Sequence, residues 1–180
     1  MAIEIEKKYG ITKAQLDDVL HRLHQIGAEW RKEEFEENTL YEGNSLDSNR
    51  CVLRLRRVGD AATLTYKERL PSDSDAKHQR EEETRIDSVE AMRAILEAIG
   101  FRPRLVYEKR RHTWRFDETE IVIDELPFGL FVEIEGSESG IAAAERSLGM
   151  QDFAAESSTY PQLTRKHGKL VGDVIQARFE

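Results

Sequence analysis

The stretch EIEKKY, residues 4–9, puts Glu4, Glu6 and Lys8 on every second position, with Ile5 between them. Successive side chains of a β-strand point to opposite faces of the sheet. The stretch therefore predicts a strand with one charged face and one face that packs on a core. A single strand of this kind is an ordinary half-buried strand, so its meaning depends on the strands that follow.

Six later stretches repeat this alternation, and their charges are grouped by strand. With the first strand included, the basic residues on the charged faces are Lys8, Arg54, Arg56, Lys67, Lys109 and Arg111. The acidic residues on the charged faces are Glu4, Glu6, Glu81, Glu83, Asp124, Glu133 and Glu135. An ordinary solvent-facing strand surface mixes in serine, threonine, glutamine and asparagine, whereas these faces are nearly purely charged.

The apolar faces of the same strands require a cover, which amphipathic helices can provide. The strands are expected at residues 3–9, 28–41, 50–58, 61–70, 79–86, 103–116, 119–126 and 130–136. The helices are expected at 12–27, with a Thr12–Gln15 capping box, at 88–100, near 139–149 and over 160–176, with a break near Gly168. Eight strands can close into a barrel. We therefore expect an α+β fold: an eight-stranded antiparallel β-barrel tunnel with a charged interior, flanked by helices.

Composition narrows the class of protein. The chain has 180 residues, which fits a single domain over 1–180, and a formal net charge of −8. This charge argues against a nucleic-acid polymer or an anionic membrane as partner. No apolar run approaches the ~20 residues that a membrane span needs, and no basic and apolar leader is recognisable, so we expect a cytoplasmic protein. Cys51 shares its strand parity with leucines, which predicts a packed thiol.

The charged faces point to a substrate class. A dry interior could not hold so many ionisable groups, so the space must be a water-filled tunnel or groove that accepts a charged molecule. Arginine and lysine clusters bind polyanions, and arginine matches phosphate oxygens well. Carboxylates without cysteine or histidine are the ligand set of Mg²⁺ or Mn²⁺. Together they fit phosphoryl transfer on a nucleoside triphosphate or an inorganic polyphosphate.

The ordered set of motifs resembles a known family. The stretch EIEKK, residues 4–8, is similar to the E-x-E-x-K signature of CYTH domains, also called triphosphate tunnel metalloenzymes. LRLR, TYK, REEE, EKRR, IDEL and VEIEG follow in order, so the resemblance covers essentially the whole chain. The family includes class IV adenylyl cyclases, thiamine triphosphatases and inorganic tripolyphosphatases. The resemblance implies an eight-stranded antiparallel tunnel flanked by helices.

The resemblance also implies roles for individual residues. The acids that look like ligands of one or two divalent ions are Glu4, Glu6, Asp124, Glu133 and Glu135, with Glu81 and Glu83 matching in position. The residues that look like the triphosphate clamp are Lys8, Arg54, Arg56, Lys67, Lys109 and Arg111. A further C-terminal base is expected to be Arg165, Lys166 or Lys169. Tyr41 is a candidate for activating the attacking water, and a packed strand aromatic is an equal alternative.

Several activities remain open at this stage. Hydrolysis of a small triphosphate-containing molecule leads, because a class IV adenylyl cyclase also needs a purine pocket that is not recognisable in the sequence. A non-catalytic polyphosphate or nucleotide-binding module would not need the full set of acids. A structural protein with a merely charged surface would not segregate its charges strand by strand. Exposed sheet edges and helices are compatible with a homodimer.

Overall fold

A computed structural model of the chain describes residues 2–43, 46–47, 49–71 and 77–180, with side chains from residue 5 onward except that of residue 77. In chain order the strands are β1 (Ala2–Ile11), β2 (Glu29–Gly43), β3 (Cys51–Val58), β4 (Ala61–Arg69), β5 (Lys77–Ile86), β6 (Phe101–Phe116), β7 (Thr119–Leu126), β8 (Gly129–Glu135), β9 (Lys169–Val171) and β10 (Val174–Ala177). The helices are α1 (Lys13–Gln25), α2 (Val89–Ala98), α3 (Glu138–Leu148) and α4 (Tyr160–His167). Each of the eight predicted strands lies within two residues of an observed strand at both ends.

Eight of the strands form a closed antiparallel barrel. The strand order is β2-β3-β4-β5-β1-β8-β7-β6, and pairing between β2 and β6 closes the ring. This last ladder is the longest, since residues 29–43 of β2 run against residues 101–115 of β6. The structure confirms the predicted fold: an eight-stranded barrel flanked by helices.

The C-terminal tail differs from the prediction. The expected helix over 160–176 stops at His167, and β9 and β10 form a hairpin after it. Gly172 takes a positive φ of 61° in the turn of this hairpin, a conformation that favours glycine. The flanking residues are rich in β-branched side chains, which favour strands over helices. β10 then pairs in parallel with residues 105–107 of β6.

The helices cover the outer faces of the barrel, as their apolar stripes require. α1 and α3 pack Leu23 and Leu148 over β1, β7 and β8, where Ile121 and Val132 face outward. α2 packs Leu96 over β3 and β4. The predicted Thr12–Gln15 capping box is present at the start of α1. The core therefore lies between the barrel and its helices, which leaves the opposite strand faces to line the interior.

α4 is placed differently from the other helices. Tyr160 and Leu163 of α4 pack with Leu40, Tyr107 and Phe131, which share strand parity with the interior charges. α4 therefore covers one end of the barrel interior rather than its outer wall. None of the helices in the described part of the chain is long and apolar enough to cross a membrane.

Candidate active site

The interior of the barrel contains a cavity of about 270 Å³. The predicted site residues that line it are Glu6, Lys8, Arg54, Arg56, Lys67, Glu81, Glu83, Lys109, Arg111, Glu133 and Glu135. They come from β1, β3, β4, β5, β6 and β8, so the cavity exists only when the ring is closed. Strand alternation thus brings together charges that lie up to 129 residues apart, from Glu6 to Glu135.

One side of the cavity is basic. We call this side the basic wall, and it consists of Arg54, Arg56, Lys67, Lys109 and Arg111. Lys67 Nζ lies 3.1 Å from Glu81 Oε2. Arg54 Nη2 donates to Thr65 Oγ1 at 3.4 Å, and Thr65 in turn donates to Glu83 Oε2 at 2.8 Å. Glu81 and Glu83 therefore lie beside the bases.

Asp124 lies behind the basic wall and is fully buried. Arg111 donates to it twice, from Nε at 2.7 Å and from Nη2 at 2.5 Å, and Lys109 Nζ donates at 3.3 Å. Burial alone would raise the pKa of Asp124, but Arg111 and Lys109 outweigh it and hold that pKa well below its usual range. Asp124 thus positions the two bases in this arrangement. A role as a metal ligand would require it to exchange these contacts.

The facing side of the cavity is acidic. By strand order, β8 lies opposite β3 in the eight-membered ring. We call this side the acidic wall, and it consists of Glu6, Glu120, Glu133 and Glu135. Glu135 pairs in register with Glu6 on β1 and with Glu120 on β7, so three carboxylates form one row across adjacent strands.

These carboxylates perturb one another. Burial raises the pKa of Glu133, and the charge of Glu6 raises it further, although Arg111 Nη2 donates to Glu133 Oε2 at 2.7 Å. Burial also raises the pKa of Glu135, with Glu120 and Glu6 adding to the effect. A raised carboxyl pKa means that the charged form is disfavoured where it stands. A cation placed beside these side chains would reverse that effect.

Lys8 connects the cavity to α4. Its side chain is 2% exposed, and its ammonium group donates to the carbonyl of Ser158. The same ammonium group lies 4.2 Å from the centroid of the Tyr160 ring, within the range of a cation–π contact. Tyr160 also donates its hydroxyl to Asp124 Oδ2 at 2.8 Å. The start of α4 is therefore part of the cavity wall.

Glu4 and Tyr41 complete the set of predicted residues, and Tyr41 lies away from the cavity. The side chain of Glu4 lies outside the described residues, although its backbone pairs with Gln79 in β1–β5. Tyr41 is 3% exposed and packs with Leu55 and Leu96 on the outer side of the barrel, under α2. The structure thus favours the packed-aromatic interpretation of Tyr41, because its strand parity is opposite to that of the interior residues.

The structure separates the three candidates for the C-terminal base. Arg165 lies on α4, where Nη2 contacts Glu42 Oε1 at 2.6 Å. It lines a second cavity of about 510 Å³, which shares Lys67 with the first and lies at one end of the barrel. Lys169 instead projects from β9, with 86% of its side chain exposed. Arg165 thus lines a cavity that adjoins the interior cavity, and the side chain of Lys166 on the same helix is exposed.

Sequence reasoning missed Glu36, Tyr160 and Glu120. Glu120 shares strand parity with Asp124, so its position was available from the alternation. Glu36 was hidden because acidic residues occupy both faces of β2 over 33–37. Tyr160 lies at a helix start, whose Thr159–Gln162 capping box is visible in the sequence. Nothing local in the sequence indicates that this helix end enters a barrel.

The donor set of the acidic wall fits Mg²⁺ or Mn²⁺, because it consists of carboxylate oxygens. Among the side chains that the structure describes, no three of His, Cys, Asp or Glu are grouped closely enough to hold one metal ion. Mg²⁺ usually keeps several waters and binds through one or two carboxylates together with substrate phosphates. The arrangement therefore suits an ion that enters with a phosphate substrate better than a permanently chelated ion.

Comparison with known proteins agrees with the fold. The family model described as CYTH domain matches residues 2–151. A relative from Methanocaldococcus jannaschii, named "Putative adenylate cyclase MJ0240", is 30% identical over 143 residues, which cover 76% of this chain and 81% of the relative.

Solved structures show the same fold. A protein from Pyrococcus horikoshii OT3 has a TM-score of 0.76 at 24% identity, covering 87% of this chain and 96% of its own. A Hippeastrum protein, described as a putative adenylyl cyclase with a dominant triphosphatase activity, has a TM-score of 0.72 at 19% identity, covering 96% and 98%. Because the family model spans most of the chain, including the strands of the cavity, the chain belongs to the CYTH domain family.

Proposed function

We propose that the protein hydrolyses a small triphosphate, with Mg²⁺ or Mn²⁺, inside the barrel. The observation that carries the proposal is the pairing of a basic wall with an acidic wall across one cavity of about 270 Å³. A triphosphate brings several negative charges, which match the bases, and it brings a divalent ion, which matches the carboxylates. Neither wall alone would select this substrate class.

The bases would hold the phosphate chain. Arg54 and Arg56 stand on β3 and Lys109 and Arg111 stand on β6, so donors approach from two directions. Lys8 would add a donor from β1 at the boundary of the two walls. Fixed donors of this kind align the terminal phosphorus and stabilise charge that develops on the transferred group.

The acids would hold the metal ion. Glu6, Glu133 and Glu135 are the first candidates, with Glu4 and Asp124 as further ligands and Glu120 as an added neighbour. A divalent ion held by these carboxylates would supply positive charge that offsets the negative charge of the phosphates. The raised pKa values of Glu133 and Glu135 support this assignment, because both carboxylates lie where added positive charge is favourable.

A class IV adenylyl cyclase is the second candidate. The observation that favours it is the name of the Methanocaldococcus relative, which shares 30% identity with this chain. In a cyclase the ribose 3′-hydroxyl attacks the α-phosphorus of ATP and pyrophosphate leaves. The same walls would serve this reaction, since it also depends on positioning and electrostatics.

A product assay separates the candidates. The purified protein is incubated with Mg²⁺ or Mn²⁺ and, separately, with ATP, thiamine triphosphate and tripolyphosphate. Orthophosphate release supports hydrolysis, and the substrate that turns over fastest identifies the class. Formation of cyclic AMP and pyrophosphate would instead identify the protein as an adenylyl cyclase. Tight binding without any turnover would indicate a non-catalytic polyphosphate or nucleotide-binding module.

A further inference from the structure

Glu36 is a buried carboxylate at the centre of the bases. It stands on β2, its side chain is 0% exposed, and Asn38 Nδ2 donates to its Oε2 at 3.1 Å. Its carboxylate oxygens lie 3.5 Å from Lys109 Nζ, 3.7 Å from Arg56 Nε and 3.9 Å from Arg111 Nε. Three residues of the basic wall therefore converge on one acid that the proposed reaction does not use.

Glu36 is charged at any pH at which the protein is expected to work. Burial would raise the pKa of Glu36, but Lys109, Arg111 and Arg56 outweigh it and lower that pKa to about 2. A carboxylate held by lysine and arginine presents the same kind of acceptor oxygens, with the same sign of charge, as a phosphate group. Glu36 therefore offers these bases the same kind of partner as a substrate anion would.

The contacts of Glu36 are looser than those of Asp124, the other buried acid of this cluster. Asp124 accepts two hydrogen bonds of 2.5 and 2.7 Å from Arg111, one of 2.8 Å from Tyr160 and one of 3.3 Å from Lys109. The three ion pairs of Glu36 are 3.5–3.9 Å long, beyond the range of a good N–H···O hydrogen bond. Within the described part of the chain, no group hydrogen-bonds to Glu36 Oε1. The bases can therefore turn from Glu36 to another anion with less loss than from Asp124.

We propose that Glu36 is an internal counter-anion that competes with substrate phosphates for Lys109, Arg56 and Arg111 and thereby sets the affinity of the cavity. The inference rests on the proposed function, because only a polyanionic substrate would compete in this way. Glu36 is a positioning residue: it keeps the bases gathered when no phosphate is bound. Its charge also weakens phosphate binding by direct repulsion, which favours release of anionic products.

The test is the affinity for tripolyphosphate, measured by isothermal titration calorimetry at low ionic strength, in EDTA and in Mg²⁺. Glu36→Gln keeps the shape of the side chain and removes its charge. We expect it to bind tripolyphosphate about tenfold more tightly in both conditions, since one negative charge leaves the neighbourhood of the phosphates. We also expect a lower melting temperature without tripolyphosphate and a larger rise when it is added, because the bases lose their internal partner.

Two further variants complete the design. Glu36→Asp keeps the charge but draws it back toward β2, so it should fold readily and bind about twofold to threefold more tightly than the wild type. Glu33→Gln makes the same change of charge on the same strand, at a side chain that is 60% exposed and points away from the cavity. Its affinity should match that of the wild type.

Weaker or unchanged binding by both Glu36 variants would overturn the inference, since a purely structural role cannot increase affinity. If the variants bind tripolyphosphate more weakly in Mg²⁺ but not in EDTA, Glu36 would be assigned to metal binding instead. That result would also overturn the inference. If the wild type itself fails to bind tripolyphosphate, ATP or thiamine triphosphate, the proposed function fails first. The two failures are thus distinguished by the wild-type titration.

Discussion

The two walls of the cavity treat charge in opposite ways. On the basic wall, the fold supplies its own counter-charges: Arg111 is held by Asp124, and Lys109 lies between Asp124 and Glu36. On the acidic wall, carboxylates instead face one another, as the register of Glu6, Glu135 and Glu120 shows. The bases are therefore organised in advance, whereas the acids are arranged at a cost that a cation would relieve. Such local costs are typical of functional sites.

The largest expected effect is on the acidic wall. Glu133→Gln or Glu135→Gln should lower metal-dependent turnover by about 100-fold or more. Neither change should lower the melting temperature measured in EDTA, because burial and neighbouring acids already disfavour the charged forms. Phosphate release and thermal unfolding provide the two measurements.

Glu125→Gln is the matched control for this pair. Glu125 lies on the outer face of β7, where it contacts Arg110 at 3.2 Å. Its turnover should equal that of the wild type. Full activity in both Glu133→Gln and Glu135→Gln would remove the metal assignment from the acidic wall.

The next effect is on the basic wall. Arg54→Ala should raise the apparent KM about tenfold or more and change kcat less, because it removes a charged donor from substrate binding. Arg57→Ala is its control, since Arg57 lies three residues further along β3, faces outward and is 53% exposed. Initial rates over a range of substrate concentrations give the comparison. An unchanged KM for Arg54→Ala would exclude Arg54 from the clamp.

A third prediction concerns the counter-charge within the basic wall. The folded-state pKa of Glu36 is lowered from 4.5 to about 2, so its contribution to stability is complete above pH 4.5 and is lost as the pH falls toward 2. The wild type should therefore exceed Glu36→Gln in unfolding free energy at pH 7, and this difference should shrink by about 2 kcal/mol by pH 3. Urea unfolding at the two pH values measures it. A difference that stays constant with pH would show that Glu36 does not titrate as described.

The smallest effect is expected outside both walls. Tyr41→Phe should leave kcat and KM unchanged, because Tyr41 packs under α2 on the outer side of the barrel. Its hydroxyl interacts with Arg93, so a loss of about 1 kcal/mol in stability is expected. A tenfold fall in kcat at unchanged stability would return Tyr41 to the catalytic candidates.

The barrel and most of its charged lining could be predicted because both depend on strand alternation, a local property. Each of two pairs, Arg54 with Arg56 and Glu133 with Glu135, is separated by a single residue. The members of each pair are therefore predicted to share one face of a strand from the local sequence alone. Closure of the strands into a ring is a less direct prediction. It rests on the argument that the charged strand faces must lie apart from the apolar core. Eleven of the predicted site residues, from Glu6 to Glu135, then line one cavity.

The remaining features depend on distant contacts that no local pattern records. Glu36 is distinguished from its acidic neighbours only by the bases that β6 and β3 bring to it. Tyr160 enters the site because α4 packs on the end of the barrel. The hairpin of β9 and β10 forms because residues 105–107 of β6 offer an unpaired edge there, which overrides a helical interpretation of the tail.

The central claim is that one cavity binds a triphosphate and a divalent ion together. Its most direct test is calorimetric titration of the wild-type protein with tripolyphosphate, ATP and thiamine triphosphate, each with Mg²⁺ and with EDTA. We predict that at least one of them binds with one site per chain, and that its affinity is higher with Mg²⁺ than with EDTA. Absence of binding, or an affinity that Mg²⁺ leaves unchanged, would contradict the account.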